Sequence, residues 1–153
     1  MNQKDLDYGA IGEHKAWIEF LESDLVKNVL DVRKDEYFQK KDIDFLILGT
    51  NYSVTKIEVK TDSKGHTTRN IAFETISRGK QGCLARSEAD WVYYYFEITG
   101  ESFMINMRKL REYIEQMKPK EIAMGEDGKG YLLKIDNLVK LGIAKIPERR
   151  RNG

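Results

Sequence analysis

The segment 90–98 constrains the fold of this chain more than any other stretch. Its residues from Trp91 to Phe96 are aromatic or β-branched throughout, and such side chains favour a pleated strand. Consecutive residues of a strand point to opposite faces, so most of the tyrosine run 93–95 should lie in the core and not form a platform for base stacking. We therefore predict a central strand here.

Hydrophobic periodicity and turn residues predict the elements around this strand. The predicted helices are 7–25, 81–87, 107–118 with Asn106 as its cap, and 137–141 with Asp136 as its cap; the other predicted strands are 26–32, 42–48, 54–61 and 71–76, followed by a hairpin of 121–124 and 131–135. This order predicts an α/β fold with one mixed β-sheet flanked by helices. We expect one domain over 1–146, with its core at about 9–118, the hairpin and short helix 119–146 as an appendage, and a basic tail at 147–153.

Composition limits the cellular setting and the kinds of site. The 26 Lys and Arg residues nearly balance 25 Asp and Glu residues, so any affinity for DNA must come from local patches. The single cysteine, Cys83, excludes an internal disulfide, and no Cys/His cluster has the spacing of a zinc site. Residues 1–5 lack the apolar core of a signal peptide, and no apolar run approaches a membrane span of about 20 residues. We expect a soluble, cytoplasmic protein with no membrane partner.

Three polar residues on two neighbouring predicted strands carry the chemistry. With a five-residue turn between these strands, Leu48 pairs with Val54, and counting back along the antiparallel ladder places Asp44 opposite Glu58. The period of two puts Lys60 on the same face as Glu58. Directly opposed like charges destabilise a sheet unless a cation lies between them. Oxygen ligands favour Mg²⁺ or Mn²⁺ over zinc, so the register predicts a site for one of these ions.

With Glu13 added from the first helix, this pattern resembles the PD-(D/E)XK, or restriction-endonuclease-like, nuclease superfamily. The likeness spans roughly residues 9–96 and is nearest to archaeal Holliday-junction resolvases and small phage or prophage nucleases. Ile43 stands where many members carry the proline before the aspartate. The resemblance implies a restriction-endonuclease-like fold and a Mg²⁺-dependent (or Mn²⁺-dependent) endonuclease that hydrolyses DNA phosphodiester bonds. Branched DNA is one candidate substrate, in recombination, repair or phage DNA processing.

The resemblance also implies roles for individual residues. Asp44, Glu58 and the main-chain carbonyl of Val59 would bind the metal, and Lys60 would position or deprotonate the attacking water. Glu13 would join the metal site or hold a second ion, although a solvated helix residue is an equally good interpretation. Dimerisation is implied only by analogy with this superfamily, and on that ground we also expect a homodimer. A bacterial, archaeal or phage-infected cell is the setting that fits.

The DNA-binding surface is predicted after the strand that carries Glu58. Polar and basic residues that commonly hold phosphates occur in the loop that follows and around the next strand, namely Lys64, Arg69, Ser77, Arg78, Lys80 and Gln81. A merely solvated loop is the competing interpretation. Gln81 also lies near the place where some superfamily members carry a glutamine or lysine. His14 and His66 are not expected to be catalytic.

Two other functional classes stay open at this stage. One is a noncatalytic nucleic-acid-binding module that kept the fold and lost turnover. The other is a structural or interaction protein in which these charges form a solvated ion pair worth about 0 to 1 kcal/mol. Binding of Mg²⁺ separates the last class from the others.

Overall fold

The architecture is known from a computed structural model that describes residues 3–147, with side chains from Gly9 onward. The helices are α1 Gln3–Glu22, α2 Glu36–Gln39, α3 Cys83–Arg86, α4 Met107–Met117 and α5 Ile135–Lys140. The strands are β1 Val26–Asp31, β2 Phe45–Gly49, β3 Val54–Asp62, β4 Asn70–Ser77, β5 Lys80–Gln81, β6 Trp91–Phe96, β7 Glu101–Asn106, β8 Ile122–Ala123, β9 Lys129–Lys134 and β10 Ala144–Lys145. A mixed six-stranded sheet has the order β1-β2-β3-β6-β7-β10, and a four-stranded sheet has the order β5-β4-β9-β8.

Strand β6 is central, as the sequence predicts, and it has a buried side chain on each face. It pairs in parallel with β3 and antiparallel with β7. Tyr93 packs with Phe20 of α1 on one face of the sheet, at 5.6 Å between ring centroids. Tyr94 packs with Phe73 of β4 on the other face. The α/β prediction is therefore confirmed, with α1 on one side of the large sheet and the second sheet, α4 and α5 on the other.

Helix α1 lies directly on β3 because Gly12 has no side chain. A Cβ at this position would collide with the Thr61 hydroxyl. The close approach fixes the height of the helix above the sheet. Glycine in a helix costs about 1 kcal/mol relative to alanine. Here that cost is offset by the close packing of α1 on β3.

The second sheet contradicts the prediction of one sheet with a C-terminal appendage. Strand β4 pairs with β9 and β5, not with the large sheet. Alternation along β4 buries Ile71 and Phe73, and both join Leu133 and Leu138 in one apolar cluster. Residues 119–146 thus complete the core, because the edge of β4 needs a hydrogen-bonding partner and β9 supplies it.

Several local predictions differ from the structure in their bounds. The helix predicted at 81–87 is only α3, and Gln81 belongs to β5. Asp136 caps no helix: α5 begins one residue earlier, and the Asp136 carboxylate binds Arg69 at 2.7 Å instead. The cap at Asn106 is confirmed, because its side chain accepts from the Lys109 amide at 3.0 Å.

The structure contains several short elements that the sequence pattern does not predict. Strand β7, the short strands β5 and β10 and the one-turn helix α2 were not predicted. The predicted tail 147–153 lies outside the described residues from 148 onward. Among the helices that the structure describes, none is long and apolar enough to cross a membrane.

Candidate metal centre

The predicted register between β2 and β3 is confirmed. Leu48 pairs with Val54, and Phe45 pairs with Ile57. Asp44 lies just before the strand, and its amide donates to the Ile57 carbonyl at 2.8 Å. Continuing the register places Asp44 next to Glu58, and the charge of Glu58 acts on the Asp44 carboxyl. The strand begins at Phe45 and not at residue 42, because Asp42 has a φ of 55° and leaves the extended region.

Asp44 is a buried carboxyl group whose pKa is raised. Its side chain is 9% exposed, and its Oδ2 accepts from the Val59 amide at 2.7 Å. Burial raises the pKa of Asp44 to about 7, against the lowering effect of the Val59 bond, and the charges of Glu13 and Glu58 raise it further. Near neutral pH, the metal-free site thus holds a carboxyl that is close to its titration midpoint.

Glu58 is buried as deeply, and one of its oxygens lacks a partner. The residue is 7% exposed, and Oε1 lies 3.4 Å from the Lys60 ammonium. Oε2 is buried and accepts no hydrogen bond from the described residues. Burial raises the pKa of Glu58, and Lys60 opposes the shift. Burial alone would lower the pKa of Lys60, but the Glu58 carboxylate raises it, so the ammonium stays protonated.

Two neighbours of this pair were not predicted from the sequence. Cys83 is 5% exposed, and it interacts with Lys60. Ser87 is 4% exposed, and its hydroxyl lowers the pKa of Glu58. Both arrive through α3, whose position depends on the close packing of Gly82 against the Glu74 backbone. Only that tertiary contact places them, so no spacing along the chain indicated their position.

Two ion pairs clamp the segment before β2 to the segment after β5. Arg86 donates to Asp42 at 2.9 Å, and the Lys41 ammonium lies 2.7 Å from Glu88. The Glu88 amide also donates to the Lys41 carbonyl at 2.9 Å. Asp44 follows the first of these segments, and Ser87 lies within the second, between Arg86 and Glu88, so the site is held from both sides.

Glu13 lies near the site but already has a cationic partner. Its Oε2 lies 2.9 Å from Arg33, which also binds Asp31 at 2.7 Å. Its charge still contributes to the raised pKa of Asp44. Among residues 9–147, no three Asp, Glu, His or Cys side chains are arranged to hold a metal ion. The structure thus brings together Asp44, Glu58 and Lys60 with the main chain of Val59, and it leaves Glu13 bound to Arg33.

The predicted DNA-binding residues do not gather at the carboxylates. Lys64, Ser77 and Arg78 line an open cleft of about 960 Å³ on the second sheet. Three acidic residues share that cleft, namely Glu74, Glu126 and Asp127. Two cations therefore face three carboxylates there, which is unfavourable for a phosphate.

The remaining predicted phosphate ligands have different surroundings. Arg69 is held by Glu101 at 3.0 Å and by Asp136 at 2.7 Å, so its charge is already neutralised. Lys80 and Gln81 are exposed on the short strand β5. Gln81 precedes α3 and does not lie on it, which differs from its suggested place on the next helix.

Three features define the site. Two buried carboxyl groups lie near each other, Glu58 on β3 and Asp44 just before β2. Glu58 has an unsatisfied oxygen, and Asp44 has a pKa raised to about 7. A protonated lysine completes the group. No protein-family model, curated protein or solved structure matches the chain.

Proposed function

We propose that this chain is a Mg²⁺-dependent endonuclease with a restriction-endonuclease-like fold, and that it hydrolyses DNA phosphodiester bonds at Asp44, Glu58 and Lys60. The observation that carries the proposal is the buried, unpartnered Oε2 of Glu58 beside the buried Asp44 carboxyl. A buried acceptor without a partner costs about 1–3 kcal/mol, and a facing carboxylate adds repulsion. A cation removes both costs.

The oxygen donors fit a hard divalent cation. Asp44, Glu58 and the Val59 carbonyl would hold Mg²⁺ or Mn²⁺, with water in the remaining positions. When bound, the ion supplies Lewis-acid polarisation of a phosphoryl oxygen and a lower pKa for the attacking water. Glu13, held by Arg33, would act on this site through its charge on Asp44.

Lys60 would orient the water or the phosphate and would not act as the general base. Its pKa is raised by Glu58, so it remains an ammonium at neutral pH and has no free lone pair. An ammonium beside the reacting phosphate stabilises the extra negative charge of the transition state, which is commonly the largest single contribution to catalysis.

Local charge explains why a metal ion would be required. Two cations on the neighbouring segments are already engaged, Arg86 by Asp42 and Lys41 by Glu88. With Asp44 ionised, the group of Asp44, Glu58 and Lys60 carries a net negative charge. It would repel a phosphate until a divalent cation reverses the sign.

Two other functional classes compare differently with the geometry of the site. A solvated ion pair on a structural protein does not fit, because Asp44 and Glu58 are 9% and 7% exposed. A noncatalytic nucleic-acid-binding module remains the alternative, since a buried cation site and turnover are separate properties. A nucleic acid is the partner in both cases, DNA for the nuclease, and a homodimer remains a prediction.

The test is to incubate the purified protein with linear, circular and four-way-junction DNA, in Mg²⁺, in Mn²⁺ and in chelator. We expect cleavage only with a divalent cation, and nicking or linearisation of the circle would establish endonuclease action. Preference for the junction would identify branched DNA as the substrate. Binding without cleavage under every condition would identify the noncatalytic module instead.

A further inference from the structure

A polar cleft adjoins the candidate metal centre on the β6 side of β3. Its volume is about 490 Å³, and its lining includes Lys56, Ser87, Asp90, Asn106, Arg108 and Arg111. Lys56 precedes Glu58 by two residues on β3, so both side chains lie on one face, about 7 Å apart along the strand. Ser87 lines the cleft and also stabilises the Glu58 carboxylate. The cleft and the metal centre therefore share Ser87 as a common wall.

The cations of this cleft carry charge that no buried carboxylate cancels. Arg111 donates to two main-chain carbonyls, those of Leu84 at 3.1 Å and Ser87 at 2.7 Å. Those bonds fix the guanidinium, and no carboxylate of the described residues lies within ion-pair distance of Arg111 or Lys56. Arg108 is 74% exposed and lies 3.4 Å from Glu112, a surface pair that is worth about 0–1 kcal/mol.

The two carboxylates of the cleft, Glu88 and Asp90, leave its three cations in excess. Glu88 binds the Lys41 ammonium at 2.7 Å. Asp90 accepts from the Lys56 main-chain amide at 2.8 Å. The same segment is tied at two more points, since the Asp90 amide donates to the Lys56 carbonyl at 2.8 Å and the Asp90 carbonyl accepts from Met107 at 3.0 Å. The walls are thus fixed before any ligand binds.

We propose that this cleft binds a backbone phosphate of the nucleic acid, next to the phosphate that is cut. Lys56 and Arg108 would neutralise it, and Arg111 would supply fixed positive charge behind them. Charge and main-chain position, not base edges, would then hold the substrate strand. The inference rests on the proposed function, because the cleft lies beside a reacting phosphate only if Glu58 belongs to a nuclease centre.

The experiment compares the wild type with Lys56→Gln, Arg108→Gln and the double variant. A control, Lys140→Gln, removes an exposed cation from α5. Binding of a fluorescent oligonucleotide, single-stranded and duplex, is measured in chelator at several salt concentrations. We expect each single variant to raise Kd about three- to tenfold and to reduce the salt slope by about 1, with a larger loss in the double variant. The control should change Kd less than twofold, and thermal melts should be unchanged for all variants.

The outcomes separate this inference from the nuclease assignment. If the cleft variants bind as well as Lys140→Gln does, the cleft is not a phosphate site, even where the wild type cuts DNA. If they lose binding while the wild type cuts nothing in Mg²⁺ or Mn²⁺, the cleft stands and the nuclease assignment fails. A wild type that binds no oligonucleotide at any salt concentration would overturn the cleft as a phosphate site, whereas the nuclease assignment is decided by cleavage in Mg²⁺ or Mn²⁺.

Discussion

The Asp44→Asn variant is expected to unfold at a higher temperature than the wild type when no metal is present. Asparagine keeps the shape of the side chain and an oxygen that can accept from the Val59 amide. It removes the charge that burial and neighbouring carboxylates penalise. A shift from the ordinary pKa of 3.8 to about 7 corresponds to up to about 4 kcal/mol of unfavourable free energy at pH 8. The melting temperature should rise by roughly 5–10 °C.

The stability difference between variant and wild type should depend on pH. Because the folded pKa of Asp44 is raised, the native state keeps a proton between about pH 4 and pH 7 that the unfolded chain has lost. The free energy of unfolding of the wild type therefore falls as pH rises through this range and levels off above it. Asp44→Asn lacks this titration, so its advantage should be small at pH 5 and largest near pH 8.

Mg²⁺ should reverse the order of stability. The ion binds the native wild type and stabilises it by mass action, whereas the variant has lost one ligand charge and gains less. Thermal melts of both proteins in chelator and across a Mg²⁺ titration, at pH 5 and pH 8, decide the matter. A wild type indifferent to Mg²⁺, or a variant that is less stable than the wild type in chelator at pH 8, would contradict the paired-carboxylate site.

Lys60→Ala is expected to lose Mg²⁺-dependent cleavage by at least about 100-fold, because the ammonium is the only charged donor assigned to the reacting phosphate. Binding of DNA should be largely retained. Removing an exposed lysine elsewhere, as in Lys140→Ala, gives the matched control. Equal cleavage by the wild type, the control and Lys60→Ala would remove Lys60 from the mechanism.

The same variant should also show a cost in stability that depends on pH. Lys60 opposes the raised pKa of Glu58, so its loss leaves a buried carboxylate without its counter-charge, at a cost of about 1–3 kcal/mol. At pH 5 the Glu58 carboxyl is more fully protonated and the cost shrinks. Restoration of stability in a Lys60→Ala variant that also carries Glu58→Gln would trace the loss to this pair.

The local sequence pattern predicted those parts of the fold in which side chains alternate between the two faces of a strand. The aromatic run of β6 and the hairpin register between β2 and β3 follow from a period of two and one turn length. The second sheet was missed because β4 and β9 are equally compatible with one sheet or two. Which edge a strand joins is decided by tertiary packing, here the burial of Phe73 and Leu133.

For the candidate site too, local pattern predicts some of the residues and misses others. Asp44, Glu58 and Lys60 belong to one hairpin, so their arrangement is encoded in sequence spacing. Cys83 and Ser87 reach it through α3, about 25 residues further on, and no periodicity reports such an approach. The charge balance of a surface is also a tertiary property, which is why Lys64 and Arg78 share a cleft with three carboxylates.

Cleavage by wild type and Glu58→Gln, measured side by side across a Mg²⁺ titration, tests the central claim most directly. Glutamine preserves the volume of Glu58 and removes only the charge that would hold the cation. We expect the wild type to cut circular DNA with an activity that rises and saturates with Mg²⁺, and Glu58→Gln to remain folded and inactive at every concentration. Cleavage by Glu58→Gln at the wild-type rate, or the absence of any Mg²⁺-dependent cleavage by the wild type, would contradict a nuclease centre at Asp44 and Glu58.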